Sequence, residues 1–68
     1  MRFGDNLKAA RQAAKLTQQE VANHLRIDRS TYTKYETRSV QPTFASLWKL
    51  AKLLGVTVDD LLRDIDEL

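Results

Sequence analysis

The sequence predicts an all-α fold, a compact bundle of five short helices, on three observations. Two glycines and one proline in 68 residues are too few for a small β-barrel or sandwich, which turns about every 8–12 positions. Apolar residues recur at helical spacing in one segment after another. Most of those segments open on a residue suited to a helix N-cap. The length allows one domain at most, and residues 1–68 are read as that single domain. With no cysteine in the chain, disulfides and thiolate metal sites are excluded, so close packing must hold the fold.

The first helix is expected over 3–15. Phe3, Leu7, Ala10 and Ala14 step by four, three and four residues, with Arg2, Asp5, Lys8 and Gln12 elsewhere on the wheel. Thr17-Gln18-Gln19-Glu20 reads as a capping box: the Thr17 hydroxyl accepts from the Glu20 amide while the Glu20 carboxylate reaches back. It opens a helix over 18–25, with Val21, Ala22 and Leu25 on one side. Asp28 is the candidate N-cap of a third helix over 29–36. That segment is rich in Ser, Thr and Tyr, has poor helix propensity and depends on tertiary packing. At about 100° per residue, Thr31, Tyr32 and Tyr35 share one arc. Arg29, Ser30, Thr33, Lys34 and Thr37 share the opposite one, which is either a reading face or simply a wet one.

Thr43 caps a fourth helix over 44–54, whose stripe runs through Phe44, Leu47, Leu50, Ala51 and Leu54. Gly55 suits the left-handed residue that ends it. Thr57-Val58-Asp59-Asp60 is a second capping box, opening a helix over 58–65 that turns Val58, Leu61, Leu62 and Ile65 inward.

Charge is distributed unevenly. Residues 1–54 hold ten Lys and Arg against four acids, whereas 55–68 hold one Arg against five acids. The net +2 therefore hides a basic body and an acidic C-terminal tip. A polyanion-binding module would show this pattern, and so would an ordinary solvated surface. No apolar run approaches the roughly 18 residues of a membrane span and no signal peptide is visible, so a cytoplasmic protein is expected.

The stretch from Gln18 to Thr37 meets the demands of a helix-turn-helix. Its fifth position needs a side chain no larger than a methyl, and Ala22 stands there. Leu25 and Ile27 bury the turn, while Tyr32 and Tyr35 anchor the second helix inward. Leu16 to Ala22, Ile27 to Tyr32, Tyr35-Glu36, Pro42-Thr43-Phe44 and the run Leu54 to Leu62 extend the pattern. On these residues the chain resembles the phage-repressor or Cro-type helix-turn-helix domains, the XRE family, from about Phe3 to Leu62.

The resemblance implies a lambda-repressor-like five-helix bundle whose third helix enters the major groove of double-stranded DNA. It implies a transcriptional regulator, a repressor, acting as a homodimer at least on DNA, on a palindromic operator, and nucleoid-associated when bound. Carried over by position, Arg29, Ser30, Lys34 and Gln18 read bases, and Gln18 also serves at the backbone. Thr17, Thr33, Thr37 and Arg38 lie on the phosphate side. Arg11 and Glu36 form a structural ion pair tying the first helix to the third. Two departures stand out, since Arg26 and Arg38 occupy positions where the family usually has glycine. Either each carries strain of roughly 1–2 kcal/mol at positive φ, or the turns differ locally.

Enzymatic chemistry fails on inventory. There is no Cys, one His, no glycine-rich phosphate loop and no nucleophile–base set. No cofactor, metal, membrane or small-molecule substrate is expected, and His24 stands alone. Tyr32 and Tyr35 on the inward arc are read as core rather than as base-stacking platforms. Trp48, at the edge of its stripe, is read as boundary core or as a dimer contact, with Val56, Ile65 and Leu68 as further candidates for that contact. The competing class is a protein-interaction module, such as an antitoxin-like partner. The cationic outer arc of the third helix argues against it, because such a surface more often offers an apolar patch.

Overall fold

The computed structural model describes residues 2–37 and 40–63. Within them the chain forms five helices: α1 (Phe3–Ala13), α2 (Gln18–Leu25), α3 (Arg29–Thr37), α4 (Phe44–Leu54) and α5 (Val58–Leu61). Arg38, Ile65 and Leu68 lie outside the described residues. Among the described residues no helix is long and apolar enough to cross a membrane.

Both expected capping boxes form. Thr17 Oγ1 accepts from the Glu20 amide at 3.0 Å and Glu20 Oε1 accepts from the Thr17 amide at 2.8 Å. Thr57 and Asp60 make the same reciprocal pair at 3.0 Å each way. Thr43 Oγ1 accepts from the Ser46 amide to start α4, and Gly55 ends it at φ 71°. Each cap satisfies a backbone group that the first turn of a helix would otherwise leave orphaned.

Leu7, Val21, Ala22, Tyr32, Leu50 and Leu61 are fully buried, with Tyr35, Ala51 and Leu54 nearly so. These residues form one core, in which α1 packs on α3 and α5, α2 on α3 and α4, and α4 on α5. α3 is thus held by its tyrosines, as its weak propensity requires.

Four local expectations are corrected. α1 ends at Ala13 rather than near Lys15, because Lys15 turns into the left-handed region at φ 61° and the Leu16 amide donates back to the Arg11 carbonyl. Asp28 opens α3 through its carbonyl, which accepts from the Tyr32 amide at 3.0 Å, but among the described residues its carboxylate accepts no capping hydrogen bond. Phe44, the first residue of α4, is 73% exposed, so the stripe does not carry it into the core. Leu62 is 40% exposed. It follows the last helical residue with non-helical dihedrals, so the helical period no longer carries it inward.

Candidate nucleic-acid interface

The helix-turn-helix is built as the residue types require. Ala22, on α2, is completely buried at the crossing, and Leu25 and Ile27 pack partly buried against the core. Arg26, in the turn, takes φ 58° and ψ 43°, and the Ile27 amide donates to the Ala22 carbonyl at 3.0 Å. The chain therefore keeps the left-handed turn and bears its strain on an arginine. Arg38, the second glycine-replacing arginine, falls outside the described residues.

On α3 the two arcs separate as the wheel requires. Tyr32 and Tyr35 are buried in edge-to-face contact, with ring centroids 6.1 Å apart. Arg29, Ser30, Lys34 and Thr37 are exposed, and Thr33 is half-buried. Among the described residues neither Arg29 nor Lys34 makes an ion pair.

Beneath this surface lies a polar cluster centred on Glu36, whose side chain is only 3% exposed. Arg11 Nε donates to Glu36 Oε2 at 2.6 Å and Arg11 Nη2 to Oε1 at 3.3 Å, a two-pronged pair linking α1 to α3. Arg11 Nη1 also donates to the Leu16 carbonyl at 2.9 Å. The Tyr32 hydroxyl donates to Glu36 Oε2 at 2.5 Å. Gln18 Nε2 donates to Oε1 at 3.1 Å. Burial pushes the Glu36 carboxyl upward, but donors from Arg11, Tyr32 and Gln18 outweigh it and hold the group below its ordinary value. Arg11 is raised, chiefly by its hydrogen bond to Glu36. Tyr32 is raised by burial first, then by the hydrogen bond to Glu36.

Sequence reasoning placed Gln18 at the surface of the motif, and the structure brings it into this cluster as well. Its Oε1 accepts from Thr33 Oγ1 at 3.0 Å. Thr33 Oγ1 also lies 2.9 Å from the Arg29 carbonyl. Thr17 differs, because its hydroxyl accepts from the Glu20 amide. The Thr37 hydroxyl donates to the Lys34 carbonyl at 3.3 Å.

Two structural residues, Gly4 and Asn6, and the hydroxyl role of Tyr32 escaped the sequence reading. Gly4 is buried against the main chain of Glu36. The signal was a glycine inside a helical pattern, which costs about 1 kcal/mol against alanine and so points to a close approach. Asn6 Nδ2 lies 3.0 Å from the Leu61 carbonyl and 2.7 Å from that of Arg63, tying α1 to the end of α5. Tyr32 contributes its hydroxyl as well as its ring. On α4, Trp48 is 50% exposed, with Lys52 Nζ 4.6 Å from its ring centroid. His24 is exposed, and the described residues bring together no group of three or more His, Asp or Glu able to hold a metal ion.

A family model described as helix-turn-helix matches residues 7–61. The chain is 43% identical over 61 residues to the uncharacterized HTH-type transcriptional regulator YqaE of Bacillus subtilis, covering 90% of this chain and 53% of YqaE. It is 34% identical over 62 residues to the cryptic phage CTXphi transcriptional repressor RstR of Vibrio cholerae, covering 91% of this chain and 56% of that protein. It is also 34% identical over 62 residues to the HTH-type transcriptional activator BcrR of Enterococcus faecalis, covering 91% of this chain and 30% of BcrR. The chain thus spans about half the length of YqaE and RstR, and less of BcrR.

Proposed function

We propose, on the premise that this chain belongs to the helix-turn-helix family of DNA-binding transcriptional regulators, of the phage-repressor or XRE type, that it binds a specific duplex sequence with α3 in the major groove and represses transcription. The observation that carries this reading is the divided surface of α3. Its tyrosines are buried, while Arg29, Ser30 and Lys34 stand exposed, with no acidic partner among the described residues. Arg29 begins α3, and its planar fork matches guanine O6 and N7 together. Ser30, Lys34 and Gln18 complete the base-reading set, and Thr17, Thr37 and Arg38 serve on the phosphate side. The likeness to a phage repressor supports repression over activation, and the likeness to an activator makes the sign a matter for a reporter assay.

In this reading the 68 residues act as one non-enzymatic DNA-binding domain in the cytoplasm, where its target lies. One short helix reads few base pairs, so two copies read a palindrome with half-sites about 10 base pairs apart. The α4–α5 side, with Trp48 half-exposed, is the surface offered to the second copy.

Fluorescence anisotropy on duplex DNA at several salt concentrations tests the reading. A slope of log K against log salt on the order of −5 to −9 is expected for a dimer making about 6–10 phosphate contacts. A flat dependence, or no duplex binding at low salt, would favour a protein-interaction module.

A further inference from the structure

Gln18 opens α2, yet neither end of its side-chain amide is free. Its nitrogen faces Glu36 and its oxygen faces Thr33, at 3.1 Å and 3.0 Å. An ionised carboxylate only accepts hydrogen bonds, so Glu36 fixes which way the amide is turned. Glu36 is itself immobilised by Arg11 and the Tyr32 hydroxyl. A continuous run of hydrogen bonds therefore leads from the buried ion pair to the DNA-facing arc of α3. Thr33 has a single hydroxyl proton, and both acceptors within reach, Gln18 Oε1 and the Arg29 carbonyl, are internal. A phosphate oxygen needs a donor, so Thr33 has no proton to give it without breaking one of these bonds. Gln18 retains one N–H.

We propose that Glu36 and Thr33 are positioning residues for DNA recognition that act through Gln18. They hold its amide in one orientation before DNA arrives, so that its remaining N–H meets an acceptor on the duplex at a fixed place. Thr33 then contributes through Gln18 rather than by touching a phosphate. A long side chain ordered in advance does not have to be ordered on binding, and this is the source of the effect. The inference rests on the DNA-binding reading above.

The test is a double-mutant cycle on a duplex selected from a random pool by the unaltered chain. Thr33→Val keeps the shape and removes the hydroxyl. It is expected to weaken binding by roughly three- to tenfold when Gln18 is present. In a Gln18→Ala background the same change is expected to cost less than about twofold, because nothing remains to be positioned. Equal losses in both backgrounds would make Thr33 a direct DNA contact, and no loss in either would leave it without a role; both overturn the proposal. NMR of the Gln18 side-chain amide supplies a readout without DNA. A rigid amide in the free chain, loosened by Thr33→Val, is expected. An amide as mobile as a free glutamine would overturn the positioning role alone. A rigid amide with no duplex enriched would overturn the DNA-binding reading, and the positioning role with it.

Discussion

Gly4 lies against the main chain of Glu36: a β-carbon built at position 4 would stand 2.1 Å from the Glu36 carbonyl oxygen. The obstacle is backbone and cannot rotate away. Helix propensity alone would favour alanine there by about 1 kcal/mol. The contact reverses that sign, since α1 and α3 must separate to admit the methyl. Gly4→Ala is expected to destabilise the fold by about 1–3 kcal/mol, read from urea denaturation. A variant as stable as the parent would mean that the two helices do not meet here.

The same stretch of α3 carries the ion pair. Removing one partner strands the other charge where its side chain is only 11% or 3% exposed, so Glu36→Ala should cost on the order of 3–5 kcal/mol at pH 7. Because the Glu36 carboxyl is held low in the fold, its contribution is present above the unfolded-state value and is lost as pH falls through the folded-state one. The gap between parent and variant should therefore narrow in acid, measured by denaturation at a series of pH values. A gap below about 1 kcal/mol at pH 7, or one that widens in acid, contradicts the buried pair.

Much of this was legible in the sequence, for identifiable reasons. Caps are local, so Thr17–Glu20 and Thr57–Asp60 could be read from spacing alone and formed as read. The inward arc of Tyr32 and Tyr35 followed from the helical period. The Arg11–Glu36 pair, by contrast, came from the family resemblance, since 25 residues separate its partners. Period reasoning failed where a helix stops, at Phe44 and Leu62, because a wheel does not know where its neighbours end. Gln18 was assigned only an outward role, and its internal bonds to Glu36 and Thr33 depend on how α2 crosses α3. No spacing within either helix encodes that crossing.

Lys15 and Arg26 both hold the left-handed conformation that Gly55 holds after α4. A side chain there costs roughly 1–2 kcal/mol, and glycine returns part of the gain as unfolded-state entropy, about 0.5–1 kcal/mol. Arg26→Gly is thus expected to stabilise the fold by about 0.5–1 kcal/mol, seen as a rise in Tm. A fall in Tm would mean that the arginine makes a compensating contact in the folded chain.

Within the outer arc, specificity and affinity should separate. Arg29→Ala is expected to cost roughly 1–3 kcal/mol on the preferred site and to relax preference at one base position. Arg38→Ala should weaken all duplexes alike and reduce the salt slope by about one unit. Competition binding across single-base variants of the site checks both. Uniform weakening by Arg29→Ala with base preference intact would make Arg29 a phosphate anchor and remove α3 from the groove.

The central claim, that paired copies of this chain read a specific duplex sequence through α3, is tested most directly by selecting binding sites from random double-stranded DNA. The account predicts enrichment of a dyad-symmetric sequence with half-sites about 10 base pairs apart. Recovery of no sequence above the starting pool would contradict sequence-specific recognition, and an enriched site without dyad symmetry would contradict the paired arrangement.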